Sequence, residues 1–376
     1  NELLDTNDDS IFEIHTNSPG PQGKLPLTDE ILRTWSSGDL FGLTQSAGMG
    51  WKPEDLLGPQ YLLLSTQGGV RAPDGQPIAL GYHTGHWEVG LLVQAAAHEI
   101  KQAGGGPSAA SCSDPCDGRT QGPTGMFDSL PYRNDAAVVF RRLIRSLPTR
   151  RGVLGVATCD KGLPAMMLAL AAMHDLPSVL VPGGVTLPPT VGEDAGKVQT
   201  IGARYVHGDM TLDEASIAGC AACGTAGGGC QFLGTAATSQ VIGEALGLSL
   251  PHTALAPSGQ PVWLDMATRS AKALMQLAER NVTMRDILTP GSIRNAMVVH
   301  AAVGGSTNAV VHLLALAGRV GVDLSMGDFE IGGEIPLLVN CMPSGKYLME
   351  DFCYAGGVPA VLKEIAHKLR KANTVM

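Results

Sequence analysis

Cys159, Asp160 and Lys161 stand in a row in GVATCDKGLPAMM, after an apolar run and before an apolar helix-like segment. A cysteine there can also read as a small buried hydrophobe. The ionisable pair beside it argues for chemistry. The motif returns as Cys116-Asp117-Gly118 in the Gly/Pro-rich loop SCSDPCDGRTQGPTGMFDSLPYRND, and Cys230 follows three glycines in GGGCQFLGTAATSQ. Each cysteine precedes a helix-like segment, where a helix N-terminus favours a thiolate. Separations of 43 and 71 residues exclude a local zinc ribbon or ferredoxin run, so the three must converge in space. Thiolates prefer iron–sulfur or zinc, and carboxylates prefer magnesium, so three Cys with two adjacent Asp suggest two metals side by side. A cluster on only three cysteines leaves one iron without a protein ligand, free to act as a Lewis acid on a substrate hydroxyl. Mg2+ on Asp117 and Asp160 would hold a carboxylate and a second hydroxyl. Together they suit elimination of water from a 2,3-dihydroxy acid.

Other candidates are weaker. Ser306, Thr307 and Asn308 in AAVGGSTNAVVH would suit an anionic oxygen, or form an ordinary N-cap. His83, His86, His252 and His300 are scattered, and of these His86 is a candidate substrate contact. Cys220 and Cys223 form a single CAAC, read as packing or incidental spacing. Cys112 lacks a following Asp, and Cys341, placed in a strand, and Cys353 read as core. Two rival readings are a metal-free α/β domain with buried cysteines and a non-catalytic iron–sulfur or zinc module.

The elements that must position these residues follow a strand–helix alternation. Gly152–Thr158 and Pro177–Gly184 read as buried strands around a helix over Leu163–Asp175, a βαβ unit with a parallel sheet. Further helices are expected over His86–Gly106, Asp135–Leu147 with Asp135 as N-cap, Thr238–Leu248, Pro261–Arg280, Ser292–Gly304 and Thr307–Gly321, and a late strand over Ile335–Asn340. Residues 1–60 read as an irregular arm and loops, and residues 61–376 as one doubly wound α/β domain with a mainly parallel sheet flanked by helices. In such a sheet ligands bind beyond the carboxyl ends of the strands, where Cys159 stands. Hydrophobic residues make up 44% and charged ones 16%, which suits a filled core and not disorder. The net charge of −9 has no basic block to balance it, so nucleic acid or an anionic membrane is not an expected partner. Apolar runs fall short of a bilayer span, and the acidic start has no secretory h-region. Eight dilute cysteines suit a cytoplasmic enzyme with reduced thiols. The ending HKLRKANTVM, with no closing strand, reads as a severed connection.

Together, CDGRTQGPTGMFDSLPYRND, CDKGLPAMM, GGGCQFLGTAATSQVIGEALGLSLPHTALAPSGQPVW, GGSTNAVVHL and AGGVPAVL resemble the dihydroxy-acid and sugar-acid dehydratase family, from about Ser37 onward. That family includes dihydroxy-acid dehydratase and 6-phosphogluconate dehydratase. SDPCDGRTQG, SLPYRND and GGGCQFLGTA are most like its D-xylonate dehydratase branch. The resemblance implies an iron–sulfur cluster, [2Fe–2S] or [4Fe–4S], on Cys116, Cys159 and Cys230, with Mg2+ near Asp117 and Asp160. Lys161 matches the family's metal-site lysine, carbamylated in some members. Gln121 and Thr124 become candidate substrate contacts. The upstream PCN cysteine of some members is absent before Ser111, and Thr124 stands where some carry Glu. The implied reaction dehydrates a sugar acid, with branched-chain dihydroxy-acid dehydration as the alternative, in a homodimer or homotetramer. Members continue into a β-rich domain holding the base for the C2 proton, so a chain ending at Met376 is expected to be inactive alone.

Overall fold

The computed structural model describes Glu13 and residues 20–371. Most of the acidic start and the final residues 372–376 of the expected severed ending lie outside the described residues. The chain divides into two compact units, residues 1–58 and 59–376. The first unit is not merely loops: it contains α1 (Asp29–Thr34) and α2 (Ser37–Gly48). Both start on a hydroxyl cap. Ile31 N donates to Thr28 Oγ1 at 3.1 Å, and Asp39 N donates to Ser36 Oγ at 3.2 Å. These Thr and Ser residues are helix starts that resemble loop residues when read without their partners.

The second unit opens with β1 (Gln60–Ser65) and a short hairpin, β2 (Val70–Arg71) and β3 (Pro77–Ala79). Then come α3 (Val89–Gln102), β4 (Gly106–Ser111), α4 (Asp117–Thr120), α5 (Ser129–Arg145), β5 (Arg150–Ala157), α6 (Gly162–Ala171) and β6 (Ser178–Pro182). The rest is helical: α7 (Ala195–Val198), α8 (Ile201–Val206), α9 (Leu212–Cys220), α10 (Thr235–Ala245) and α11 (Pro261–Glu279). It continues through α12 (Met284–Ile287), α13 (Pro290–Val303), α14 (Asn308–Val320), α15 (Met349–Tyr354) and α16 (Gly357–Glu364).

The main sheet is parallel throughout, in the order β4-β1-β5-β6. The chain starts in the middle, runs to one edge through α3, then returns past β1 through α5 and continues outward through α6. That reversal makes the fold doubly wound and creates a switch point between β1 and β5. Successive strand residues face opposite layers. Leu63, Leu154 and Val181 pack under α3 and α11 with Leu92, Ile100, Met266 and Leu274. Leu62, Leu64, Val153 and Leu180 pack under α5 and α6 with Phe140, Ile144, Met166 and Leu170. Two covered faces explain why β5 and β6 read as continuous apolar runs.

Three expectations change. α5 begins at Ser129, so Asp135 lies inside the helix and caps nothing. Ile335–Asn340 forms no strand; Leu338 N instead donates to Ala302 O at 2.7 Å, near the end of α13. Cys341, expected in a strand, makes only an isolated bridge with Tyr347.

α10 carries two buried polar side chains that fasten loops. Gln240 accepts from Gly184 N at 2.9 Å and donates to Gly184 O at 3.0 Å. Glu244 accepts from His252 N at 2.9 Å and Ala254 N at 3.0 Å. Burial pushes the Glu244 carboxyl up from 4.5 to about 7, against the pull of those amides. A folded value above the unfolded one means the native state holds the proton more tightly. The contribution to stability is therefore full below pH 4.5 and is lost as pH rises through 7. Glu244→Gln removes this titration. Its stability relative to the parent should rise by about 3 kcal/mol between pH 4.5 and 8, read from urea melts across that range. A difference that stays flat with pH refutes this assignment.

Candidate functional site

The carboxyl ends of all four parallel strands open onto one region. β1 hands over at Ser65 to Thr66, whose Oγ1 accepts from Thr158 N at 3.2 Å and so ties the ends of β1 and β5 together. The segment after β4 carries Asp114, Cys116 and Asp117, and the turn after β5 carries Cys159, Asp160 and Lys161. After β6, the Gly183–Gly184 turn runs beside the Gly227–Gly229 run that delivers Cys230. A Cβ on Gly228 would overlap the backbone of Val185 and Thr186. Only a bare backbone in the left-handed region, here φ +79, fits that approach.

A cleft of about 890 Å³ lies here. Its walls hold Cys116, Cys159 and Cys230 together with Asp117 and Asp160. The cysteines expected to converge do so, and all eight cysteines are free thiols. Cys159 sits at φ +67, a conformation that side chains other than glycine rarely adopt, and is 3% exposed. Its thiol donates to Cys116, which pulls the Cys116 thiol down to about 6. Holding the proton that Cys116 accepts, together with burial, pushes Cys159 well above the usual thiol range. Burial pushes Cys230 up to about 12.

The acidic side is equally organised. Asp117 Oδ2 accepts from Lys161 Nζ at 2.7 Å, and Asp117 Oδ1 accepts from Ser129 Oγ at 2.6 Å. Lys161 is 3% exposed, so its ammonium lies in a low-dielectric pocket against a single carboxylate. Burial, helped by the nearby Asp117 charge, pushes Asp160 up to about 6 against the pull of Lys161. Behind Lys161, Arg133 Nη1 lies 2.9 Å from His312 Nδ1, and burial with that guanidinium holds His312 down to about 3.

The proposed substrate contacts are only partly on the cleft. Gln121 and Asn308 line it, whereas Thr124, Ser306, Thr307 and His86 are not among the lining residues. Ser306 supports the wall indirectly: its Oγ lies 2.9 Å from Thr235 Oγ1, to which Asn308 Nδ2 donates at 3.1 Å. His86 is fully buried, with Nε2 3.0 Å from Asp114 Oδ1 but off the hydrogen-bond angle. His83 lines the cleft instead, its imidazole held down to about 4 by burial.

Cys220 and Cys223 are exposed, so packing does not account for them, and Cys223 stands on the cleft wall. Cys112 and Cys353 are half-buried against the core and Cys341 is buried.

Sequence reasoning missed Arg71, Trp87 and Arg119. Arg71 Nη2 donates to Glu88 Oε1 at 2.7 Å, and the guanidinium carbon Cζ lies 4.6 Å from the Trp87 ring centre. Arg71 and Arg119 put two cations on the cleft wall. Arg71 carries no motif, whereas Arg119 stands inside CDGRTQG and could have been marked by it.

Residues 79–376 match the model of the dihydroxy-acid/6-phosphogluconate dehydratase N-terminal domain. Among curated relatives, D-xylonate dehydratase YagF of Escherichia coli K12 is 60% identical over 367 residues, 96% of this chain and 56% of the relative. D-xylonate dehydratase YjhG of the same organism is 55% identical over 356 residues, 94% and 54% respectively. A dihydroxy-acid dehydratase of Methanospirillum hungatei is 34% identical over 303 residues, 77% and 53%. The chain thus spans about half the length of the curated relatives it matches. No helix among the described residues is long and apolar enough to cross a membrane.

Proposed function

Since the chain belongs to the dihydroxy-acid/6-phosphogluconate dehydratase family, we propose that its cleft is the metal-bearing half of a hydro-lyase centre. The substrate is a sugar acid, D-xylonate, and the product its 2-keto-3-deoxy acid. The observation that carries this reading is the meeting of Cys116, Cys159 and Cys230 with Asp117 and Asp160 in one cleft at the switch point. The likeness to two D-xylonate dehydratases supports the substrate.

The residues fit the implied groups. Three thiols from separate loops, one beside a bare glycine run, suit an iron–sulfur cluster. Asp117 and Asp160 are hard oxygen donors suited to Mg2+. When bound, the two groups would supply Lewis-acid polarisation of the leaving C3 hydroxyl and of the carboxylate. The chain's own residues do the rest. Arg71 and Arg119 attract the acid and orient its charged end. Gln121, Thr235 and Asn308 offer donors and acceptors to a polyhydroxylated chain. Thr124, Ser306, Thr307 and His86 stand outside the contacts proposed here. A cytoplasmic homo-oligomer completes the reading.

Lys161 sets a condition on the magnesium side. As an ammonium 2.7 Å from Asp117 it neutralises the carboxylate a dication needs. Carbamylation by CO2 would turn that positive charge negative. Mg2+ affinity should therefore rise about tenfold or more with added bicarbonate in the parent, and not in Lys161→Arg, by calorimetry. Equal bicarbonate response in both proteins removes Lys161 from the metal side.

The direct test is anaerobic iron and sulfide analysis, followed by turnover of D-xylonate and of a branched 2,3-dihydroxy acid by the enzyme carrying this chain. Iron and sulfide with D-xylonate preferred is the expected result. Preference for the branched acid replaces the substrate, and absence of iron after reconstitution overturns the cluster.

A further inference from the structure

Behind the cleft wall, three buried side chains point ligand atoms at one another. His86, Asp114 and Cys159 have one nitrogen, oxygen or sulfur each within 4.8 Å of the others. All three residues are 3% exposed or less. His86 Nε2 and Asp114 Oδ1 face each other at 3.0 Å, and His86 Nδ1 is buried without a hydrogen-bond partner. Leaving such groups unsatisfied is costly, and native interiors rarely do so. Asp114 Oδ2, by contrast, accepts from Gly162 N at 3.2 Å, which fixes the carboxylate and turns Oδ1 toward His86. The 3.0 Å between His86 Nε2 and Asp114 Oδ1 is near the ~3.3 Å that separates two ligands on one tetrahedral zinc ion.

We infer that His86, Asp114 and Cys159 form a mononuclear site for a thiophilic divalent ion of the zinc class. A nitrogen, a carboxylate oxygen and a sulfur are the donor types such an ion takes, with a fourth position for water. Cys159 stands on the cleft wall, which provides the entry path. On binding, the ion replaces the Cys159 thiol proton, which leaves to solvent. The site requires none of the iron–sulfur chemistry proposed above. It shares Cys159 with that cluster, so the two occupants exclude each other and zinc would block cluster assembly.

The test is a Co2+ titration of the metal-free chain, followed by absorption. One equivalent should give a thiolate-to-cobalt charge-transfer band that Zn2+ abolishes. His86→Gln and Asp114→Asn should each weaken Co2+ binding about tenfold or more, while Cys116→Ser and Cys230→Ser leave it unchanged. X-ray absorption of the cobalt-loaded parent needs no variant and should show one sulfur with nitrogen and oxygen neighbours. Three sulfurs around cobalt, or loss of the band in Cys116→Ser and Cys230→Ser, would put the ion on the cluster cysteines and overturn the site. No charge-transfer band at all would leave His86 and Asp114 as a plain buried pair. Iron loading, measured separately with and without prior Zn2+, tests the cluster: iron uptake abolished by Zn2+ supports the shared ligand, and uptake unaffected by bound Zn2+ refutes it.

Discussion

Cys159→Ser should reduce iron and sulfide, after anaerobic reconstitution, to a small fraction of the parent's. Turnover of D-xylonate by the enzyme carrying this chain should fall by about a thousandfold or more, since Lewis-acid assistance contributes several kcal/mol. The substitution is nearly isosteric, so the loss is chemical. Serine meets the same φ of +67 and occupies the same buried pocket, so thermal stability of the metal-free chain should stay close to the parent's. Cys341→Ser is the comparison, because Cys341 is also buried but does not line the cleft. It should keep its iron. Equal iron in parent and Cys159→Ser would remove the turn after β5 from the cluster site.

Gly228→Ala should be strongly damaging for a single methyl beside the site. The residue sits at φ +79, where an L side chain costs about 1–2 kcal/mol. Its new Cβ would meet backbone atoms of Val185 and Thr186, which cannot swing aside as a side chain end can. Overpacking of that kind costs about 1–3 kcal/mol more. The facing turn is equally tight, since a Cβ on Gly85 would overlap Gly228 O. We expect a total loss of about 3 kcal/mol by urea denaturation. Because Gly228 stands two residues before Cys230, cluster loading should fall with it. Gly202→Ala, at a position with nothing near a built Cβ, should do neither. A Gly228→Ala chain as stable as the parent would mean that this loop moves freely.

Much of the site could be read from the sequence because its chemistry is carried by adjacent residue types. Cys-Asp appears twice, and Gly-Gly-Gly-Cys once. β5 and β6 were readable because both of their faces are covered. β4 was not, because it is an edge strand of small and polar residues, GPSAAS, with three of its residues exposed. β1 was missed although its LLL is as apolar as β5, because turn-rich segments flank it on both sides. The strand expected at Ile335–Asn340 failed for the opposite reason: an apolar run was mistaken for a ladder when its backbone bonds to the end of α13. His86 illustrates the limit most clearly. Its residue type allowed a polar or core histidine or a substrate contact, and only the fold places it against Asp114 with no exposure.

The strand order also fixes when the metal can arrive. Cys116, Cys159 and Cys230 sit on loops from three different places in the chain, and β1 must pair with both β4 and β5 before the first two approach. No short segment can gather the ligands, so metal cannot nucleate folding as it does in a zinc finger. Long-range parallel pairing comes first, and it is the slow step. On the cluster reading proposed above, loading would follow folding, and iron scarcity would leave an intact reserve of empty protein, ready for loading without a second round of folding.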